Sequence, residues 1–349
     1  MVQVKNHSLS AKELLSITNA AGSQYISVHA DKVLTECYAG VADIRTNAPV
    51  TKETTFNAFS ITKTVTAAAI LKLAEQKKIL LTDNVNSMFN DFHFKYPFTV
   101  QQLLSHQAGF PDPIPISWIH LAEEDKNFNR DNFSLKMIEK NSRQKFVPGT
   151  KFSYSSIGYL LLSRIIEKVA GESYKSYLQK NILSLLSKDV SLDFRINDHA
   201  VHATGYHPRY SFSNLLLSFF LDRKKFIQYN YGSWTAFNNF YVNGQAYGGL
   251  IGNVAGLASY LQLYLSKKMF SNVETQQLMF TDQKGGMTLS WFTGTLNGQR
   301  YLCHAGGGGG YYCEIRIYPG LNMASALLRN RSSFSDLRLL NKIDSKFIR

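Results

Sequence analysis

The chain has 349 residues, 44% hydrophobic and 13% aromatic, enough apolar matter to bury a sizeable core and so excluding a disordered polymer. Its formal net charge of +13 sets a prior for anionic partners. The basic residues are dispersed, however, and clusters such as Arg223-Lys224-Lys225 do not make a nucleic-acid module.

No apolar signal core opens the sequence, and no apolar run reaches membrane-spanning length. The chain as given therefore reads as soluble and cytoplasmic, or as periplasmic or secreted if a signal peptide was removed. Residues 8–20 carry helical apolar spacing behind a Ser8 or Ser10 cap. "QYISVHA" and "KVLTECYAGVAD" read as strands that turn at Ala30-Asp31, a hairpin. From Ser60 to about Lys188 the pattern is helical, with caps expected at Thr82-Asp83, Thr99 and Ser155-Ser156 and a stop at Gly171. Residues 189–247 are aromatic-rich and read as mostly loop, and 254–268 as helix. "MTLSWFTGTL", "RYLCHAG", "YYCEIRIYP" and "MASALLRN" read as strands, and a helix follows from about Ser333.

Strands at both ends with helices between them predict an α/β (α+β) fold, an antiparallel sheet flanked by helices. Residues 1–58 and 245–349 would build the sheet, and 59–244 a mainly helical inserted region, with the active site between the two. The three cysteines, Cys37, Cys303 and Cys313, are too few for a disulfide framework and lack zinc spacing. Cys303 and Cys313 flank a glycine run and would face each other across a hairpin; buried thiols are the default reading.

Ser60-Ile61-Thr62-Lys63 stands where strand gives way to a small, apolar helix, "TVTAAAILKLA". There the serine hydroxyl meets the positive end of a helix dipole, and Lys63 follows one turn later on the same face. Burial of that helix would desolvate the amine and lower its proton affinity until it acts as a base. Ser142-Arg-Gln-Lys145 repeats the spacing in a polar stretch with no apolar helix behind it, and reads as surface loop.

With "LLSHQAGFPD", "FVPGTKFSYSSIGYLLLSRIIEKVAG", "YGGLIGNVAGLASYL" and "YLCHAGGGGGYYCEIRIYP" following in order, the sequence from about residue 20 to 330 resembles the serine β-lactamase-like hydrolases. These comprise class C β-lactamases, serine D,D-peptidases and related esterases of the penicillin-binding-protein-like fold. The resemblance implies that Ser60 is the nucleophile of an acyl-enzyme, Lys63 takes or relays its proton, and Tyr154 exchanges protons with nucleophile and leaving group. It places His304 on the edge strand beside the site and makes the backbone N–H groups of Ser60 and Gly307 the oxyanion hole. Ser156, Ala305 and Gly306 would meet the substrate. Two positions depart from the pattern: Ser156 stands where relatives carry an asparagine amide, and Ala305 where they often carry a hydroxyl.

The implied activity is cofactor-free hydrolysis of a small-molecule ester, amide or peptide, most simply as an esterase. A D-amino-acid peptidase or weak β-lactamase is the alternative among enzymes, and a catalytically silent acyl- or peptidoglycan-binding protein the alternative outside them. His106 reads as a loop-stabilising residue. His199, His202 and His207 lack a carboxylate or cysteine at ligand spacing, so no metal is assigned. Gly306–Gly310 lacks nucleotide-loop spacing. The aromatic stretch 209–234, with its Leu215–Leu217 and Phe219-Phe220 cluster, ranks as core first, cleft wall second and membrane-surface element third.

Overall fold

The computed structural model describes residues 8–89, 91–113, 118–212, 214, 219–332 and 338–348. In chain order its strands are β1 (Gly22–Val28), β2 (Val33–Asp43), β3 (Ala48–Pro49), β4 (Phe56–Phe59), β5 (Ile119–Leu121), β6 (Leu192–Asp193), β7 (Tyr206–Pro208) and β8 (Ile227–Tyr231). They continue as β9 (Trp234–Phe237), β10 (Phe240–Val242), β11 (Leu250–Gly252), β12 (Phe292–Leu296), β13 (Gln299–Gly308), β14 (Tyr311–Tyr318) and β15 (Met323–Arg329). The main sheet has the order β12-β13-β14-β15-β1-β2-β3, so strands from both chain ends share one antiparallel sheet, as the pattern predicts. The opening hairpin forms as expected, closed by His29 N–H donating to the Lys32 carbonyl at 2.9 Å.

Every residue of β1 is buried, because helices cover both faces of the sheet. On one side packs the Val254–Leu265 helix; on the other lie α1 (Ala11–Thr18) and the Leu340–Asp344 helix, over Leu14, Tyr25, Tyr312, Leu327 and Ile343. Ser10 caps α1 in a reciprocal capping box with Glu13.

The first layer also supports the helical region: α2 (Thr62–Glu75), α3 (Val100–Leu104), α4 (Arg130–Lys140), α5 (Ser156–Ala170) and α6 (Tyr174–Asn181). Helix α2 is buried nearly all round, and Ala67, Ala68 and Ala69 are fully enclosed. Small side chains let neighbouring backbones approach, and the cost is that every polar group on α2 needs a partner. Thr66 Oγ1 donates to the Ala246 carbonyl at 2.7 Å, and Thr62 Oγ1 accepts the Leu250 N–H at 3.0 Å. Ser155 caps α5, Thr99 caps α3 and Gly171 closes α5 in the left-handed conformation, all as read from sequence.

Other expectations change. The cap near 82–83 is Asn84, which starts only a 3-10 turn, Val85–Met88, while the Asp83 carboxylate accepts the Leu80 N–H at 2.8 Å. "MTLSW" is not strand: Ser290 takes φ 76°, and β12 begins at Phe292. Residues 189–247 hold β6 to β10, and Val273–Met279 is a helix that went unread. Cys303 lies opposite Arg316 and Cys313 opposite Gly306, so the hairpin register keeps the two thiols apart; all three cysteines are buried and free. The 209–234 segment is not simply core. Tyr210, Phe212, Phe219 and Phe220 are exposed while Leu221 and Phe226 are buried, and Leu215–Leu217 lie outside the described residues. The final helix is described only from Leu340, because the expected start at Ser333 also falls outside them.

Under the sheet's outer face sits a buried polar network. Arg316 Nε and Nη2 both donate to Glu314 Oε1, at 3.0 and 2.6 Å, and both residues are enclosed. Asp344 accepts from Tyr25, Tyr318 and Ser325, which ties the last helix to three strands. Burial pushes the Asp344 carboxyl up to about 6 despite the nearby Arg316 charge. A folded value above the unfolded one makes its contribution full at acid pH and lost as pH rises through about 6. Removing one partner from a buried ion pair strands the other charge, at a typical cost of ~3–5 kcal/mol. Glu314→Ala is therefore expected to lower unfolding stability by about that amount, read from urea denaturation midpoints.

Candidate active site

Strand β4 ends at Phe59 in the left-handed region (φ 42°), a sharp corner for a non-glycine residue that sets Ser60 just ahead of α2. The Ser60 carbonyl accepts the Lys63 N–H at 3.0 Å, so the residue belongs to the first turn without being inside the helix. Lys63 Nζ then lies 3.1 Å from Ser60 Oγ and donates to the Tyr247 carbonyl at 2.9 Å. It sits over three aromatic faces: Tyr154 at 4.8 Å, Tyr247 at 5.4 Å and Tyr159 at 5.6 Å. The rings favour a cation, but burial outweighs them. It brings the Lys63 amine down to about 7, with Asp112 pulling the other way.

Tyr154 closes the group. Its ring lies 4.4 Å from that of His106, tilted by 33°, and 6.4 Å from that of His304. Burial raises the phenol well above its ordinary value, with the Ser60 hydroxyl opposing, so Tyr154 is a neutral proton donor near pH 7. Its loop is fixed from behind: the His106 carbonyl accepts the Ser153 N–H at 2.9 Å and His106 Nδ1 accepts the Ser155 N–H at 3.0 Å. His106 itself takes φ 55°. The loop-stabilising reading of that histidine fits this geometry, and the tilted ring contact with Tyr154 adds to it.

Strand β13 brings the second half of the site. It is not the edge strand throughout, because β12 pairs with it as far as Cys303, opposite Phe292. Beyond that point the run from His304 to Gly308 has a free side. Gly306 backs onto the nucleophile: a Cβ there would lie 2.6 Å from the Ser60 N and 3.0 Å from the Ala58 carbonyl oxygen, so no larger residue fits. Gly307 is exposed, one residue on. His304 is buried, with Nδ1 2.9 Å from the Ala305 carbonyl and Nε2 without a hydrogen-bond partner among the described residues. Burial, with Lys63 second, lowers its proton affinity to about 3, so the imidazole is neutral. Ala305 points to the opposite face and packs on the outer cluster, and thus offers the site only backbone. Ser156 is buried at the start of α5, its N–H donating to Asp112 Oδ1 at 2.8 Å.

The structure thus gathers Ser60, Lys63, Tyr154, His304 and Gly306 around one point and leaves Ser142 far along the chain after α4 as a partly exposed loop residue. Two contributors went unread. The Tyr247 carbonyl orients Lys63, and Asp112 supplies the nearby charge. Each lies in a quoted block, "YGGLIGN" or "LLSHQAGFPD"; the Tyr247 contact is a backbone acceptor that leaves no residue-type signal, and the Asp112 carboxylate comes near Lys63 only through the fold. The three histidines near 200 go separate ways: His199 to Asn239, His202 to Thr55, His207 to Ser332. Among the described residues no group of three or more metal-ligating side chains forms. A crevice of about 390 Å³ bordered by Asp125, Arg130, Glu167, Lys175 and Gln245 shares no residue with the Ser60 group.

A serine hydroxyl beside a desolvated amine sits between an antiparallel sheet and a helical layer, in the fold of the penicillin-binding-protein-like structures. The chain belongs to the beta-lactamase family, whose model matches residues 12–344. It is 28% identical over 191 residues to Protein flp of Staphylococcus aureus strain N315, a match covering 53% of this chain and 37% of that protein. The chain thus spans well under half the length of the curated relatives it matches. Among solved structures, the octameric penicillin-binding protein homologue from Pyrococcus abyssi superposes with a TM-score of 0.74 at 24% identity, covering 95% of this chain and 74% of that one. The D-amino acid amidase of Ochrobactrum anthropi SV3 superposes with a TM-score of 0.77 at 15% identity, covering 97% and 95%. Among the described residues, no helix is long and apolar enough to cross a membrane.

Two outcomes follow from the geometry. The lowered Lys63 value makes the free amine the form that gains with pH, so kcat/KM for ester cleavage is expected to rise through about pH 7, as a pH–rate profile on a neutral ester would record. Gly306→Ala is expected to cut turnover by about a hundredfold or more by displacing the Ser60 backbone, with thermal unfolding confirming that the variant folds.

Proposed function

We propose that the chain is an acyl-transferring serine hydrolase that cleaves small esters or amides through an acyl-Ser60 intermediate. The observation that carries this reading is the 3.1 Å approach of the buried Lys63 amine to Ser60 Oγ. As the Ser60 oxygen bonds to the substrate carbonyl carbon, its proton passes to Lys63. Collapse of the tetrahedral intermediate breaks the carbonyl bond to the leaving group, which takes a proton from the neutral Tyr154 hydroxyl; Lys63 returns one to Tyr154. Water then attacks the acyl-serine by the reverse proton path and releases the acid. The N–H groups of Ser60 and Gly307 are proposed to hold the oxyanion, where one lost donor typically costs ~3 kcal/mol. A silent binding protein would have no need to keep an amine desolvated beside a hydroxyl.

The same geometry favours simple esters over β-lactams. Family members that handle the drugs hold the carboxylate and acylamide with a cation, a hydroxyl and an amide, as the resemblance implies. Here His304 is neutral, Ala305 turns its methyl to the other face, and Ser156 is short and buried. Hydrogen bonds to charged groups contribute about 1.5–3 kcal/mol each, so losing two or three removes orders of magnitude in acylation.

A fluorophosphonate probe is expected to label the purified protein at Ser60. Ser60→Ala should abolish labelling and hydrolysis while Ser142→Ala changes neither; a label on Ser142 would refute the assignment. In parallel, short p-nitrophenyl esters should exceed a chromogenic cephalosporin in kcat/KM by about a hundredfold or more. Equal or better cephalosporin turnover would show that other residues hold its carboxylate.

A further inference from the structure

The crevice of about 390 Å³ lies between the first turns of α4 and α6, with Asn129 and Arg130 on one side and Ser173, Tyr174 and Lys175 on the other. Both helices thus present their positive ends to it. Phe128, Tyr174 and Phe194 give it aromatic walls, the last two packed edge to face at 5.7 Å. Carboxylates border the space as well, but each is taken. Asp125 accepts from Arg130 and lies 3.0 Å from His120 Nε2, while Asp131 and Glu167 both hold Arg164 Nη1, at 3.1 and 2.7 Å. Two cations remain. Among the described residues Lys175 has only Asp193, at 4.0 Å, and Arg195 has no hydrogen bond or ion pair.

The wall of the crevice continues to the back of the catalytic group. Thr66 Oγ1 gives its proton to the Ala246 carbonyl at 2.7 Å, so the Tyr174 hydroxyl, 2.8 Å away, donates to Thr66. Thr66 stands one turn beyond Lys63 on α2. Ala246 lies between Gln245, which borders the crevice, and Tyr247, whose carbonyl holds Lys63 Nζ at 2.9 Å. Helix α5 runs from Ser156 to the crevice at Glu167, which sets the two sites roughly 16 Å apart.

We propose that this crevice is an effector site for small aromatic carboxylates, held by Lys175 and Arg195 beside the Phe128, Tyr174 and Phe194 rings, and that its occupant lowers turnover at Ser60. A carboxylate gains charge-assisted hydrogen bonds from two cations, and its ring buries apolar area against the walls. The Gln245 amide, whose side chain has no hydrogen bond among the described residues, donates to the same carboxylate and draws its turn outward. That lengthens the Tyr247 carbonyl contact on Lys63 and loosens the base, so kcat falls while the cleft at Ser60 stays open. Hydrolysis of an aromatic acyl ester releases an acid of this class, which makes the crevice a sensor of product. The effect on turnover rests on the acyl-Ser60 reading; the binding does not.

The test titrates phenylacetate, with benzyl alcohol as the uncharged comparison, into the native protein and into Lys175→Gln/Arg195→Gln by calorimetry. Phenylacetate should bind the native protein more tightly than the alcohol does, and the double variant should lose about tenfold to a hundredfold in affinity for the acid. In turnover of p-nitrophenyl acetate, phenylacetate should lower kcat by about fivefold at saturation and leave KM in place. Tyr174→Phe keeps the ring wall and breaks the hydroxyl link to Thr66, so it should still bind the acid while the fall in kcat shrinks. Equal affinity in the double variant, or an alcohol that binds as tightly as the acid, would overturn the site. A rise in KM at constant kcat would put the acid at Ser60 instead and overturn the effect on turnover. Absence of Ser60-dependent hydrolysis of p-nitrophenyl acetate would overturn the acyl-Ser60 reading and that effect with it, while calorimetry still decides the carboxylate site.

Discussion

The burial of one amine organises the molecule. Lys63 lies on a helix enclosed on nearly every side, and among the described residues no ion pair compensates it; instead a hydroxyl, a peptide carbonyl and three ring faces do. An ammonium in such a place is poorly solvated, and the fold resolves this by letting the group lose its proton near neutrality. For that to happen α2 must be surrounded, which requires the alanine-rich face of the helix, the α5 and α6 packing and the Gln245–Gly248 turn to meet around it.

The surroundings show the same economy. Tyr154 is held in place through its neighbours, with His106 in a left-handed conformation anchoring Ser153 and Ser155 on either side. Gly306 is needed because the strand passes directly behind the Ser60 nitrogen. Both are backbone constraints, and both place an atom where charge would change in the proposed acyl transfer. The charged network of Glu314, Arg316 and Asp344 lies on the far face of the same sheet, so β14 is fastened from outside while its edge pairs with the strand that carries His304.

The chain belongs to the beta-lactamase family, and particular residues around Ser60 bear on the chemistry proposed for it. His304 and Ala305 leave the β13 side of the site without a cation or a hydroxyl. On the α5 side stands a short serine, Ser156, whose N–H donates to the Asp112 carboxylate. The proposed chemistry at Ser60, Lys63 and Tyr154 thus sits between a neutral His304 and the Asp112 carboxylate that holds the Ser156 N–H.

The sequence by itself determined the elements whose signals are local. The Ser10, Thr99 and Ser155 caps, the Gly171 stop, the β1–β2 hairpin and the Ser60–Lys63 pair each rest on residues within a few positions of one another. It also separated Ser60 from Ser142, because only the first is followed by an apolar helix. Only the tertiary structure decided the rest. The Cys303–Cys313 register depends on the turn at Gly309-Gly310, and the short strands between 189 and 247 exist through partners distant in sequence. The exposure of Phe212 and Phe219 runs against their composition. Lys63's partner is a peptide carbonyl 184 positions away, and His304's neutrality comes from enclosure and the Lys63 charge. The apolar helix behind Lys63 foretold its desolvation, but backbone acceptors from distant segments belong to the assembled chain and not to a residue type, and so leave no mark in the order of letters.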